Sequence, residues 1–95
     1  MPFPVPPVDV VPPTAPTSVK ATIGKGRKVA LSWTAATDIT GVVGYRVLRN
    51  GAVVASVTAT SFTDSLPAKT SSVTYTVVAV DAAGNVSPPS NAASV

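Results

Sequence analysis

The stretch YTVVAVDAAGNVS, residues 75–87, decides the fold of this chain of 95 residues. Apolar and hydroxyl-bearing residues alternate through positions 73–79, which predicts a long central strand with one buried face. Asp81–Asn85 is small and polar and contains a glycine, which predicts a loop. A last strand is predicted from about Val86 to Val95. Pro88-Pro89 marks an edge position or a bulge in it, because proline has no N–H for a ladder.

Upstream of that stretch, the same alternation predicts five more short strands, over residues 19–23, 29–34, 45–47, 53–57 and 60–63. Gly24-Lys25-Gly26 predicts a turn, and Asn50-Gly51 predicts a type I′ hairpin because both of its central positions take positive φ. About seven short strands with turns every 8–12 residues are typical of an immunoglobulin-like β-sandwich. The fold class expected is therefore all-β.

The core is predicted from the alternating apolar positions and the aromatic residues. With 45% hydrophobic and 12% charged residues, the chain suits one modest core with little charge around it. Lys20, Arg46 and Arg49 are predicted on outward strand positions. The predicted core residues are Leu31, Trp33, Tyr45, Val47, Phe62, Leu66, Tyr75 and Val77.

The first 16 residues differ from the rest, since they hold seven of the ten prolines. Proline fixes φ and removes an amide donor, so residues 1–16 are predicted to be an extended arm and residues 17–95 the folded domain. A stiff spacer is one interpretation of the arm. The other is a docking arm for a protein partner, whose contacts would be Phe3, Val5, Val8, Val10 and Val11.

Residues 17–95 resemble a fibronectin type III domain of the bacterial or phage type. The resemblance is carried by Val29–Thr34, Gly44–Gly51, Ser61–Asp64 and, most specifically, Tyr75–Ser87. It implies a seven-stranded sandwich of two sheets and no catalytic activity.

The sequence departs from that family in two places. The sixth strand of the family begins with a corner tyrosine, and Val73 occupies the matching position, while Tyr75 lies two residues later and points inward by parity. Integrin-binding members carry Arg-Gly-Asp in the loop between the last two strands, and this chain has Ala83-Gly84-Asn85 there. Integrin binding is therefore not expected.

The chemistry available to the chain is narrow, because it contains no cysteine, histidine or glutamate. The usual nucleophile, general base and zinc ligand are thus missing, and we expect no enzyme activity, no cofactor and no metal site. Asp38 and Asp81 are predicted to share one pole of the sandwich, each capping its own turn.

The sequence also contains few residues suited to binding glycans, nucleic acids or membranes. Four of the five aromatic residues fall on predicted core positions, so only weak glycan contact is expected from the sandwich. The net charge is +3, and the cluster Lys25, Arg27 and Lys28 is interpreted as a solvated surface and not as a nucleic-acid site. No stretch is apolar and long enough to predict a membrane span.

Two functions remain open from the sequence. The first is a decoration protein displayed on a virion capsid or tail and anchored by the arm, which the Met1 start without an export signal and the end at the last predicted strand favour. The alternative is a spacer or accessory module of a secreted bacterial enzyme that degrades polysaccharides, which the Pro/Thr linker and the family resemblance favour. The first places the protein on an assembly surface, and the second outside the cell.

Overall fold

The computed structural model describes residues 11–39, 41–67 and 72–95, and nearly all regular structure in them is extended. A one-turn 3-10 segment lies at Lys25–Arg27. The strands are β1 Thr17–Ile23, β2 Lys28–Thr34, β3 Val42–Arg49, β4 Ala52–Val57, β5 Ser61–Ser65, β6 Thr74–Asp81 and β7 Ala93–Ser94. No helix in the described part of the chain is long and apolar enough to cross a membrane.

The strands form two antiparallel sheets that pack face to face. One sheet has the order β1-β2-β5, and the other has the order β4-β3-β6-β7. The predicted seven-stranded immunoglobulin-like sandwich is therefore confirmed. The hairpin at Asn50-Gly51 has φ values of 52° and 87°, as the type I′ prediction requires.

The core lies between the sheets and is filled from alternate positions of β2, β3 and β6. Trp33 and Tyr45 meet edge to face with ring centroids 5.6 Å apart, an arrangement that aromatic pairs prefer. The Tyr45 hydroxyl accepts a hydrogen bond of 3.1 Å from the buried Ala36 N–H, so the polar tip of this core residue is satisfied.

The last strand is much shorter than predicted, since only Ala93–Ser94 forms a regular ladder with β6. Pro88 and Pro89 lack amide hydrogens, so residues 86–92 pair with β6 only irregularly. Val86 bridges Val80, Ser87 N donates to Ala79 O at 2.8 Å, and Ser90 N donates to Val77 O at 2.9 Å. Two serine hydroxyls, and not backbone carbonyls, accept from N–H groups of β6 here. Ser90 Oγ accepts from Val77 N at 2.8 Å, and Ser87 Oγ accepts from Ala79 N at 2.8 Å.

The β1 edge is closed by a side chain. A bulge between Thr17 and Lys20 takes Val19 out of the ladder with β2. The side-chain amide of Asn91 forms hydrogen bonds with both the backbone N–H and the backbone carbonyl of Val19. Asn91 Oδ1 accepts from Val19 N at 3.0 Å, and Asn91 Nδ2 donates to Val19 O at 3.1 Å. This amide joins the two sheets and blocks strand addition at that edge.

Candidate functional site

The described end of the arm is attached to the loop between β2 and β3. Thr14 N donates to Thr37 O at 2.9 Å, and Thr37 N donates to Thr14 Oγ1 at 2.9 Å. The side chains of Pro13 and Pro16 are fully buried. We call this end of the sandwich the first pole. Residues 13–16 therefore pack as part of the domain, and the predicted boundary at residues 16/17 remains a prediction.

The chain leaves the sandwich at the other end, which we call the second pole. Val95 and Val73 exchange two backbone hydrogen bonds of 3.1 and 3.3 Å, at the start of β6. The 3-10 turn Lys25–Arg27 lies at the same pole, since β2 begins there with Lys28. Thr14 and Val95 therefore lie at opposite poles of the sandwich.

The loop after β6 lies at the first pole and is organised by a buried carboxylate. Asp81 Oδ1 accepts from Ala83 N at 3.0 Å and from Asn85 N at 2.7 Å, while Asp81 Oδ2 accepts from Asn85 Nδ2 at 3.0 Å. Asp81 is 1% exposed. It caps its own turn, as predicted, and both of its carboxylate oxygens accept hydrogen bonds from residues of the loop.

Asp38 is at the same pole as Asp81, as predicted. Its carbonyl oxygen accepts from Gly41 N, and Gly41 O accepts in turn from Ala82 N, which links the two loops. Within the described ranges, no three acidic, histidine or cysteine side chains are grouped so as to hold a metal ion.

A polar cluster that the sequence did not predict crosses the core between the sheets. Arg49 Nη1 lies 2.7 Å from Asp64 Oδ2, and the Tyr75 hydroxyl donates to the same oxygen at 2.7 Å. Asp64 belongs to the three-stranded sheet, and its two partners belong to the four-stranded sheet. The predicted outward position of Arg49 is wrong, because Arg49 shares the parity of Tyr45 and Val47 and therefore faces inward.

The environment of this cluster changes the acidity of the tyrosine. Burial first, and then the hydrogen bond to Asp64 and its negative charge, raise the pKa of Tyr75 from 10.0 to about 12. All three effects disfavour tyrosinate, because a second anion would lie beside the carboxylate in a place that excludes water. Tyr75 therefore acts as a neutral hydrogen-bond donor.

The predicted site residues are distributed as follows. Phe3, Val5, Val8 and Val10 lie outside the described residues. Val11 is 61% exposed and lines the same surface groove as Ile39, which is 85% exposed. Phe62 and Leu66 are half-buried against the core. The other predicted core residues are buried: Leu31, Trp33, Tyr45, Val47, Tyr75 and Val77.

The chain is similar in sequence to short regions of bacterial enzymes. No protein-family model matches the chain. Chitinase A1 of Niallia circulans is 49% identical over 87 residues, which are 92% of this chain and 12% of that protein. Exoglucanase B of Cellulomonas fimi is 46% identical over 87 residues, which are 92% of this chain and 8% of that protein. The chain thus spans a small part of either relative.

Solved structures agree on the architecture. A fibronectin-type-III-like protein from Clostridium thermocellum matches with a TM-score of 0.77 and 28% identity, over 88% of this chain and 92% of that chain. The sandwich is a fibronectin type III domain. A chitinase of Bacillus thuringiensis matches this fibronectin type III domain with a TM-score of 0.82 and 34% identity, over 97% of this chain and 14% of that chain.

The fibronectin type III domain keeps its sixth strand in place without the corner tyrosine of the family. Val73 is 3% exposed and fills that position as an apolar core residue. The phenol comes instead from Tyr75, one inward position later, and bonds to the Asp64 side chain. The loop of this fibronectin type III domain that carries Arg-Gly-Asp in integrin-binding members is held here by Asp81.

Proposed function

We propose that this fibronectin type III domain is a non-catalytic spacer module of a secreted bacterial enzyme that degrades polysaccharides. The observation that carries the proposal is the position of the two attachment points. Thr14 is fastened at the first pole, and Val95 is fastened at the second. A module with this geometry holds its neighbours apart by the length of the sandwich, about 26 Å for an eight-residue strand such as β3.

The relatives support the same proposal. The two named above are a chitinase and an exoglucanase, and the matched region is a small fraction of each. They favour the accessory-module hypothesis over virion decoration, for which none of these relatives provides support. An extracellular location belongs to this proposal.

The context of the chain is tested in its source organism. Peptides of residues 17–95 are expected from an extracellular polypeptide much heavier than the 9.5 kDa of the chain alone, as measured by immunoblotting and mass spectrometry of culture fluid and cells. A free 9.5 kDa polypeptide that sediments with virus-like particles would overturn the proposal in favour of capsid or tail decoration.

The spacer geometry is tested on the chain itself. Because the chain contains no cysteine, V11C and S94C can carry two spin labels for distance measurement by electron paramagnetic resonance. A single narrow distance distribution is expected. Adding Thr14→Val, which removes the hydroxyl that Thr37 N uses, is expected to broaden it. A broad distribution without Thr14→Val would show that the domain does not fix the direction of the chain.

A further inference from the structure

The outer face of the three-stranded sheet is exposed and almost entirely polar. We call it the β1–β2–β5 face. Its side chains project from alternate positions of the three strands, as the strictly alternating burial of β2 shows. Strand pairing arranges them in three rows: Lys20, Ser32 and Ser61; Thr22, Ala30 and Thr63; Lys28 and Ser65. All eight are exposed.

This face carries positive charge with no acid to balance it. Asp64 is the acidic residue of these three strands, and it points into the core, where it is 6% exposed and paired with Arg49. Lys20 and Lys28 therefore stand among hydroxyl groups. The positive charge continues around the edge of the face onto the second pole, where Lys25 is exposed.

The outer face of the four-stranded sheet is different. Its exposed residues include Val43, Val53 and Val86, which are 55%, 56% and 39% exposed, and its exposed cation is Arg46. The two faces of one small domain thus present separate chemistries. Because each face has its own exposed cations, removing a positive charge from one face can be compared with removing one from the other face in a binding experiment.

The spacing of the charges suits a long, hydrated anion. Lys28 precedes Ser32 by four residues, and Ser32 pairs with Lys20, so the two lysines are about 14 Å apart across the face. Hydroxyl groups between them can exchange hydrogen bonds with sugar hydroxyls, while each lysine–carboxylate contact in water is worth at most about 1 kcal/mol. Useful affinity therefore requires a polymer that makes several contacts at once.

We propose that the β1–β2–β5 face binds a linear polysaccharide that carries carboxylate groups. Nucleic acid is disfavoured, because no aromatic side chain stands on the outward positions of these strands to stack on bases. A membrane surface is disfavoured, because those positions hold no large apolar side chain for insertion. The inference names a binding partner for the spacer module, and it is testable whether or not the domain belongs to a larger enzyme.

The first measurement is binding of the 95-residue chain to polygalacturonate by affinity electrophoresis and calorimetry. Binding is expected at about 20 mM NaCl and should weaken at least about fivefold at about 200 mM, because the contacts are exposed and screened by salt. A neutral glucan is the comparison polymer and should bind at least about fivefold more weakly. Equal binding of both polymers, or no binding of polygalacturonate at low salt, would overturn the proposal.

A matched pair of variants distinguishes binding at the β1–β2–β5 face from attraction by the net charge of the domain. Lys28→Gln and Arg46→Gln each remove one exposed positive charge, from opposite faces of the sandwich. Lys28→Gln is expected to weaken polygalacturonate binding about threefold or more, and Arg46→Gln to change it by less than about 1.5-fold. Equal losses would show attraction by the overall charge alone and would refute a binding face.

Nuclear magnetic resonance titration locates the contact directly. Amide shifts on adding polygalacturonate should concentrate on Lys20, Ser32 and Thr63, and should leave Val43 and Val80 on the other sheet unchanged. A single-stranded DNA oligomer of equal charge tests the competing class of polymer. Tighter binding of DNA than of polygalacturonate at the same salt would overturn the assignment to polysaccharide.

Discussion

The guanidinium of Arg49 and the carboxylate of Asp64 meet at 2.7 Å across the two sheets of the sandwich. Arg49 is on β3 and Asp64 is on β5, and these strands belong to different sheets, so the pair joins the sheets directly. Tyr75 adds a second donor to the same oxygen. The buried Asp64 carboxylate is tolerated because the Arg49 guanidinium and the Tyr75 hydroxyl both contact it. Removing one charge of the pair would leave the other without its partner.

Removing one member of this cluster should be more harmful than removing the charged pair. Asp64→Leu leaves Arg49 without its anion and is expected to lower the free energy of unfolding by about 3 kcal/mol. The double variant Arg49→Met/Asp64→Leu should lose less than Asp64→Leu alone. Urea unfolding followed by Trp33 fluorescence measures both. The single variant Arg49→Met completes the cycle, and a loss for the double variant equal to the sum of the losses for Asp64→Leu and Arg49→Met would show that the pair is not coupled.

The stability of the domain should fall in alkali because of Tyr75. Its pKa is raised from 10.0 to about 12 in the folded state, so the unfolded state loses the phenol proton first as the pH rises. The stabilisation is complete below pH 10 and is lost between pH 10 and about 12. Unfolding in urea at several pH values measures this loss. Tyr75→Phe should be less stable near neutral pH and should show a smaller decline over that range.

The hydroxyl of Ser87 should contribute to the stability of the domain, because it is the acceptor for a buried backbone N–H. It accepts from the buried Ala79 N–H at 2.8 Å, and Ser87→Ala would leave that donor unsatisfied, at a cost of about 1–3 kcal/mol. Ser56→Ala, at an exposed position on β4, should change stability by less than about 0.5 kcal/mol. Hydrogen exchange should also speed up at Ala79 in the Ser87→Ala variant. Unchanged exchange there would contradict the role of the hydroxyl.

The hairpin between β3 and β4 should depend on Gly51. Its φ of 87° is in the left-handed region, so Gly51→Ala is expected to cost about 1 kcal/mol. Gly24→Ala is the matched control, because Gly24 has an ordinary φ of −123° and an added Cβ would lie 3.8 Å from Lys28 O, an unstrained contact. Equal losses for the two variants in thermal unfolding would contradict the positive-φ explanation.

The sequence predicts most of the fold because β-strands with one buried face repeat every two residues. That period located six of the strands to within a few residues and the hairpin at Asn50-Gly51. It failed for residues 86–92, where Pro88 and Pro89 have no N–H to donate and serine hydroxyls, in place of backbone carbonyls, accept from the N–H groups of β6. Such a replacement is visible only when Val77 and Ala79 are seen to donate to Ser90 and Ser87.

The polar features were harder to predict, since they join residues far apart in the chain. Arg49 could have been placed inside by parity with Tyr45 and Val47, but its partner Asp64 depends on how the sheets stack. The attachment of Thr14 to Thr37 likewise joins residues 23 positions apart. The partner-binding role of Val11 and the rest of the arm stays a prediction.

The opposite attachment points also determine how the domain responds to tension. A pull on both ends acts along the strands, so the hydrogen bonds of β1 to β2 and of β7 to β6 are sheared together instead of being opened one by one. The pair Thr14–Thr37 and the Asn91 amide on Val19 lie at the loaded end of β1 and take the force first. We therefore expect the sandwich to resist extension along its strands more strongly than a domain whose strands are pulled apart one pair at a time.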